Sequence, residues 1–522
     1  MSGYHPDTET DEDGDAPRDI RSRSLGDHPA AEHTPLLPTD LPAELAPKRS
    51  LRLLVSVIGG LCLTLVAVSQ RLFGPALQEI MEDVICRNVY ADHPLNMVSS
   101  PDSRCKGNDV QKVLSMVSAM DLAAEMIVPI LVQIPFGIIA DKYGRRIVIF
   151  LALFGCALKI GWTVFVLSFP NRLNVWAILW GNLAYFIGGG GTMAVAMCYT
   201  LFSDVTPAAE RTMVFYQLNA LLRIVAVAAT PLAAFLLGVN PWMAVWIGVG
   251  LLGIGTGCTL LLPETLDLRK AADQRRPSGD VQAEFVAQPP PVARVSAKSA
   301  IQRALASARS DFSHIWRFLL GSPGIMLLMV CNALAFPLKL AFDGDLLQYM
   351  TKRYHWSWST ATYIVSIENF FALGVLMIVL PATAWALDRR GRSPLQRDLF
   401  IARASAVFAF LGAVFIAFAP VGWLCVLALI IYSFASGFSP LFRSLLSVIV
   451  EPHTIGALNT VIATIESTVG LVSAPTLAWL LNRGMDIGGV WIGLPFMFTA
   501  FLTALSALGI FVFRLPKVFD QV

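Results

Sequence analysis

The chain has 522 residues, 55% hydrophobic and 15% charged, with a formal net charge of +2. Soluble domains run about 45–50% apolar and about 25% charged, so this balance excludes an ordinary soluble core and points to a bilayer. Near-neutral charge offers no basic domain for nucleic acid, and eight cysteines without a CxxC or a His/Cys cluster offer no metal centre.

Residues 1–50 are polar, with an acidic run from Asp7 to Asp15, and read as a disordered cytosolic tail. No apolar core precedes a small-residue cleavage site, so no secretory signal is expected. Glu32-His33-Thr34-Pro35-Leu36-Leu37 resembles a dileucine sorting signal of eukaryotic endomembrane proteins.

Crossing about 30 Å of hydrocarbon takes roughly 20 apolar residues. That ruler predicts twelve membrane helices at about 51–76, 113–140, 147–168, 174–203, 212–238, 241–263, 316–343, 358–387, 399–418, 421–446, 456–482 and 488–514. Two connectors are long. The first runs from about 77 to 112 and holds Cys86 and Cys105. The second, 264–315, contains Pro289, Pro290 and Pro291 and splits the spans six and six. The expected organisation is a tail (1–50), a six-helix bundle (51–263), a cytosolic linker (264–315), a second bundle (316–514) and a short cytosolic tail (515–522).

Lys and Arg fix the orientation. With a cytosolic N-terminus the inner connectors hold Lys142, Arg145, Arg146, Arg211, Arg389, Arg390, Arg392 and Arg397, and the outer ones hold fewer. The same choice puts Cys86 and Cys105 outside, where oxidising conditions allow a disulfide across the first long loop.

The connector after span two reads Gly137-x-x-x-Asp141-x-x-Gly144-Arg145-Arg146. A degenerate copy, Asp388-Arg389-Arg390-Gly391-Arg392, follows span eight, with Ala384 in the place of the first glycine. Physically, Gly137 allows close helix approach, Asp141 ends its helix, Gly144 permits a tight reversal, and the arginines anchor at the anionic cytosolic surface. The motif, its position, the six-plus-six layout and Pro263-Glu264-Thr265 after span six resemble the major facilitator superfamily over about residues 51–514. The resemblance implies an inner latch that holds two halves together when the site opens outward. Ser203-Asp204-Val205-Thr206-Pro207 with Arg211 also fits that family, and the nearest likeness is to fungal small-solute transporters, including the branch close to proton-coupled folate carriers. Two antiporter features are degraded. Span five has Thr230-Pro231-Leu232-Ala233-Ala234 where glycines would follow, and span four has Asn182 and no arginine before Gly188 to Gly191.

An ionisable group at mid-membrane costs about 2.5–3.5 kcal/mol and so faces a cavity or a partner. Counted from the cytosolic helix ends, Arg223, Glu466 and Lys159 lie about 15–18 Å deep and are the candidates for handling substrate or protons. Glu125 is expected to titrate. Asp121 and Glu368 each stand twenty residues before an inner-turn aspartate, so they are equivalent positions if the halves are repeats. Arg71 is expected beside Asp121, and Lys339 beside Glu368, as an outer gate. Asn182, Gln217, Asn219, Asn332, Asn369 and Tyr432 supply sparse hydrogen bonding, and Trp162 and Trp180 apolar walls, which suits a partly apolar organic solute.

The expected fold is an all-α membrane protein of twelve transmembrane helices in two six-helix bundles. The expected function is secondary transport of a small organic solute by alternating access, coupled to protons, without cofactor, metal or nucleic acid. Export comes first and proton-driven uptake second; a non-transporting sensor or scaffold is the alternative from another class, and it would want a long folded cytosolic extension. There is no Walker-type loop, nucleophile elbow or HExxH, so neither an ATP-driven pump nor an enzyme is expected. The reading is a monomer in the lipid bilayer of the plasma membrane, with a vacuolar or other endomembrane as the alternative.

Overall fold

A bilayer offers no water to backbone N–H and C=O groups, so apolar segments of this length fold as helices. The computed structural model describes residues 49–90, 103–206, 211–264, 323–449 and 455–513. The N-terminal tail with Glu32 to Leu37, the linker beyond Glu264 and the C-terminal tail lie outside the described residues. Those described are helices joined by turns, with no strand among them. Among the described residues twelve helices are long and apolar enough to cross a membrane: Leu51–Val89, Asn108–Val132, Arg145–Ser168, Val175–Phe202, Gln217–Val239, Pro241–Leu261, Pro323–Gly344, Trp358–Asp388, Leu395–Phe418, Gly422–Phe442, Val461–Ile487 and Gly489–Val512. They are spans one to twelve below.

Short connectors carry their own start signals. Asn240 accepts a hydrogen bond from Trp242 N at 2.9 Å, and Pro241 stands in the first turn of span six. Ser357 and Ser393 cap spans eight and nine in the same way.

Buried side chains group by half. One set joins Leu72, Leu114, Val164, Leu236 and Val245 of spans one to six. Others join Leu328, Phe442 and Val461, and Leu340, Tyr349, Leu429 and Phe496, all from the later spans. Trp358, at the start of span eight, packs into the core of the first half.

Four details differ from the expectation. The helix of span one continues to Val89, because Ile80, Met81, Val84 and Ile85 extend its buried stripe past the membrane-thickness ruler. Cys86 therefore sits buried on a helix and not in a loop. Span four begins as a 3-10 helix, Val175–Phe186, and becomes α-helical only from Gly190, at a turn in which Gly188, Gly189 and Gly190 hold φ of 95°, 84° and 68°. Span eight carries a π turn, Val375–Val379, just before Pro381, whose ring would otherwise meet the carbonyl four residues back. An unanticipated short helix, Leu346–Tyr354, follows span seven on the outer side.

Candidate functional site

The inner turn comes first because its motif was the clearest sequence signal. Gly144 holds φ 110°, and a Cβ there would strike the Glu264 carboxylate. That carboxylate accepts from Arg145 N at 3.2 Å. The Arg145 guanidinium is 2% exposed, pairs with Asp204 and donates to Thr200 O at 3.1 Å. The turn thus gathers the inner ends of spans two, three, four and six of the first half. The side chain of Asp141 lies outside the described set. A Cβ at Gly137 would meet nothing within 4 Å among the described residues, so the close approach expected there is not made in this state. In the second copy, Asp388 accepts from Arg397 at 3.1 and 2.9 Å, Arg389 lies 3.7 Å over the Trp385 ring, and Arg392 lies 4.9 Å over that of Phe400. Gly391 supplies the reversal at φ 74°.

In mid-membrane the structure rearranges the expected pairs. Arg71 does not meet Asp121. The Asp121 carboxylate accepts from Lys159 Nζ at 2.9 Å and Asn182 Nδ2 at 2.6 Å. Glu125, one turn away, accepts from Lys159 at 3.4 Å and from the Tyr185 hydroxyl at 3.1 Å. The reason is geometric: this face of span two turns toward spans three and four of its own half. Lys159 is buried between these two acids.

Lys339 is exposed, and the charged neighbours of Glu368 are Arg223, Asp343 and Arg71 instead. Arg71 and Arg223 come from the first half, Asp343 and Glu368 from the second. Tyr432 joins them, stacked on Phe342 with ring centroids 3.6 Å apart. Arg71, Arg223 and Asp343 are exposed although they lie within membrane-length helices, the pattern of a water-reached cavity. Glu466 accepts from Asn332 Nδ2 at 3.1 Å. Asp343 was missed by sequence reasoning, although it lies one turn beyond Lys339 on the same helix face.

The outer ends are closed by contacts between halves. Buried Glu82 of span one accepts from Trp358 Nε1 of span eight at 2.6 Å and from Lys106 Nζ at 2.8 Å to each oxygen. Gln111 also donates to Glu82 and receives Gln348 Nε2 on its backbone and side-chain oxygens at 2.7 and 3.0 Å. Lys352 donates to Lys106 O. Further along the seam Asn108 Nδ2 donates to Met485 O at 2.8 Å, Lys112 pairs with Asp486, and Ser359 donates to Ala234 O at 2.7 Å. A disulfide joins Cys86 to Cys105, next to Lys106. Burial pushes Asp345, at the foot of the short outer helix, up to about 7. Burial, with Lys106 nearby, pushes Lys352 down. The sequence reading missed Glu82 because it counted it as loop.

Among the described residues no three His, Cys, Asp or Glu side chains gather as a metal site.

A closed outer seam above charged groups that two helical halves bring together defines a membrane transporter. The chain belongs to the Major Facilitator Superfamily, whose family model matches residues 59–475. It is 28% identical over 500 residues to the MFS efflux pump atnC of Emericella nidulans, covering 93% of each chain. It is 26% identical over 448 residues to the efflux pump ustT of Aspergillus flavus, covering 84% of each. Among solved structures it resembles the nucleoside transporter NupG, with TM-score 0.55 and 14% identity, over 89% of this chain and 100% of that one. It also resembles a D-xylose-proton symporter, with TM-score 0.54 and 15% identity, over 89% and 98%. These likenesses show the fold. Members of the family transport solutes and are not enzymes, and the same holds for this chain.

Proposed function

We propose that the protein exports a small organic solute by alternating access, with proton entry as the driving force. The carrying observation is the meeting of Arg71 and Arg223 from one half with Asp343 and Glu368 from the other, beneath a closed outer seam. Charges drawn from both halves exchange partners when the halves rock, so a solute bearing polar groups competes for them directly. Phe342 and Tyr432 beside them offer an aromatic wall, which favours a partly apolar solute over a sugar. The names of the relatives, both efflux pumps, support export. Export from the cell implies the plasma membrane, and each half-pair belongs to one chain, so a monomer suffices.

The inner turn then serves as the latch. Gly144, Arg145 and Arg146, braced by Asp204 and Glu264, hold Asp141 for the opposite half when the inner end closes. The Asp388 copy plays the weaker part because Arg397 already occupies its carboxylate. Glu466 with Asn332 lines the second half of the path. Proton-driven uptake is the second reading, favoured by the loss of glycines after Pro231.

The test is a flux screen in sealed vesicles holding the full chain, with a pH gradient imposed in each direction. Solute efflux that grows with inward proton force supports export. Solute accumulation in the direction of proton entry overturns it in favour of uptake, and no gradient-driven flux of any solute removes coupling.

A further inference from the structure

The first half holds a charge set that the cavity between the halves does not share. Asp121 and Glu125 both reach one ammonium, Lys159 Nζ, at 2.9 and 3.4 Å. The side chain of Lys159 is 8% exposed, that of Asp121 23% and that of Glu125 39%. The titratable groups facing this ammonium are Glu125, Tyr185 and Asp121, and Cys156 of span three faces Glu125. Of the other elements packed here, span one brings Gln70, which with Cys156 lies within 4.0 Å of a Cβ built at Gly191, and span eleven brings Gly470 against Met126, with Glu466 one turn before it bonded to Asn332.

Two carboxylates and one ammonium leave a net charge of −1 inside the bilayer. An unbalanced charge there costs about 2.5–3.5 kcal/mol, and one bound proton removes it. The two acids are not equivalent. Asp121 has the closer ammonium contact, at 2.9 Å, and a second charge-stabilising donor in Asn182 at 2.6 Å. Glu125 has the longer ammonium contact and a neutral hydroxyl donor at 3.1 Å, and it is the more exposed.

We propose that Glu125, held between Lys159 and Tyr185 inside the first half, is the binding site for the coupled proton, separate from the groups that meet the solute. This rests on the proton-coupled reading above. Hydronium gives its proton to the Glu125 carboxylate and leaves as water. Lys159 keeps its charge and shifts wholly onto Asp121, and Tyr185 keeps its proton. All members belong to one half, so the proton travels with that half as it rocks.

The proton itself is the probe. Infrared difference spectra of the full chain in liposomes, recorded across pH, read the carbonyl stretch of protonated carboxyl groups. Wild type should show a titrating band that Glu125→Gln removes and Glu125→Asp restores. Gradient-driven solute flux is read on the same variants. Glu125→Gln should make flux insensitive to the imposed pH gradient, and Glu125→Asp should restore the sensitivity. A purely structural cluster would leave that sensitivity in place. An unchanged band in Glu125→Gln, or flux in that variant that still follows the pH gradient, overturns the assignment while leaving export intact. A titrating Glu125 in a protein whose flux ignores the pH gradient overturns the coupled reading, and with it the coupled proton.

Discussion

Asp121 and Glu368 occupy matching places in the two halves, each twenty residues before an inner-turn aspartate, yet they keep different company. Asp121 is bonded to Lys159 and Asn182, both from its own half. Glu368 lies among Arg71 and Arg223 from the opposite half and Asp343 from its own. Partners within one half move together and persist through a rocking cycle. Partners shared between halves must separate at some point in it. Two acids at the same offset from an inner turn thus differ in kind: one is a fixture of its own half, the other a part shared between halves.

The largest expected effect comes from removing the fixture's cation. Lys159→Met leaves two partly exposed acids without their ammonium, and breaking such a pair costs about 3 kcal/mol, the low end of the range for buried pairs. Thermal unfolding in detergent should fall by several degrees. Adding Asp121→Asn and Glu125→Gln to the same protein should recover most of the loss; a stable single variant would show that the ammonium does not balance these acids.

Next comes the outer seam. Trp358→Phe keeps the ring but deletes the donor to buried Glu82, at about 2 kcal/mol for a bond to a charged group. Ser115→Cys, buried at the seam against Ala478, should react about tenfold faster with an external thiol reagent when combined with that change. Equal labelling rates would break the link between Trp358 and closure.

The moving set should matter for flux and little for stability. Arg223→Gln is expected to lower solute flux about tenfold, equivalent to about 1.4 kcal/mol, with an unfolding temperature close to wild type. A strong loss of stability with full flux would make Arg223 a fixture like Lys159 and erase the contrast.

The smallest effect is a pH dependence outside the membrane. The folded carboxyl of Asp345 is raised to about 7 from an ordinary value near 3.8, so the native state favours the protonated form. That contribution is complete below the unfolded value and disappears as pH rises through about 7. Asp345→Asn should match wild type near pH 4 and gain about 1 kcal/mol by pH 8, read as unfolding temperature. A difference that grows toward acid pH would reverse the sign.

Much of this was legible from residue order. Length and hydropathy located the twelve spans, because the bilayer imposes one ruler on all of them. The Gly144 turn announced itself through its glycine and arginines, Arg223, Glu466 and Lys159 through their cost in lipid, and Glu368 through its spacing from Asp388. Partner choice was not legible. Which face of span two meets span three depends on helix rotation, which packing decides, so Asp121 was matched with Arg71 and not with Lys159. Glu82 escaped notice for another reason: the ruler measures membrane thickness, and the helix of span one runs on beyond it.

The disulfide between Cys86 and Cys105 makes the outer closure lopsided. It ties the segment bearing Lys106 to the helix bearing Glu82, so these two travel as one body while Trp358 leaves with the other half. An outer end that opens this way presents to a passing solute an acid still neutralised by its own tethered cation.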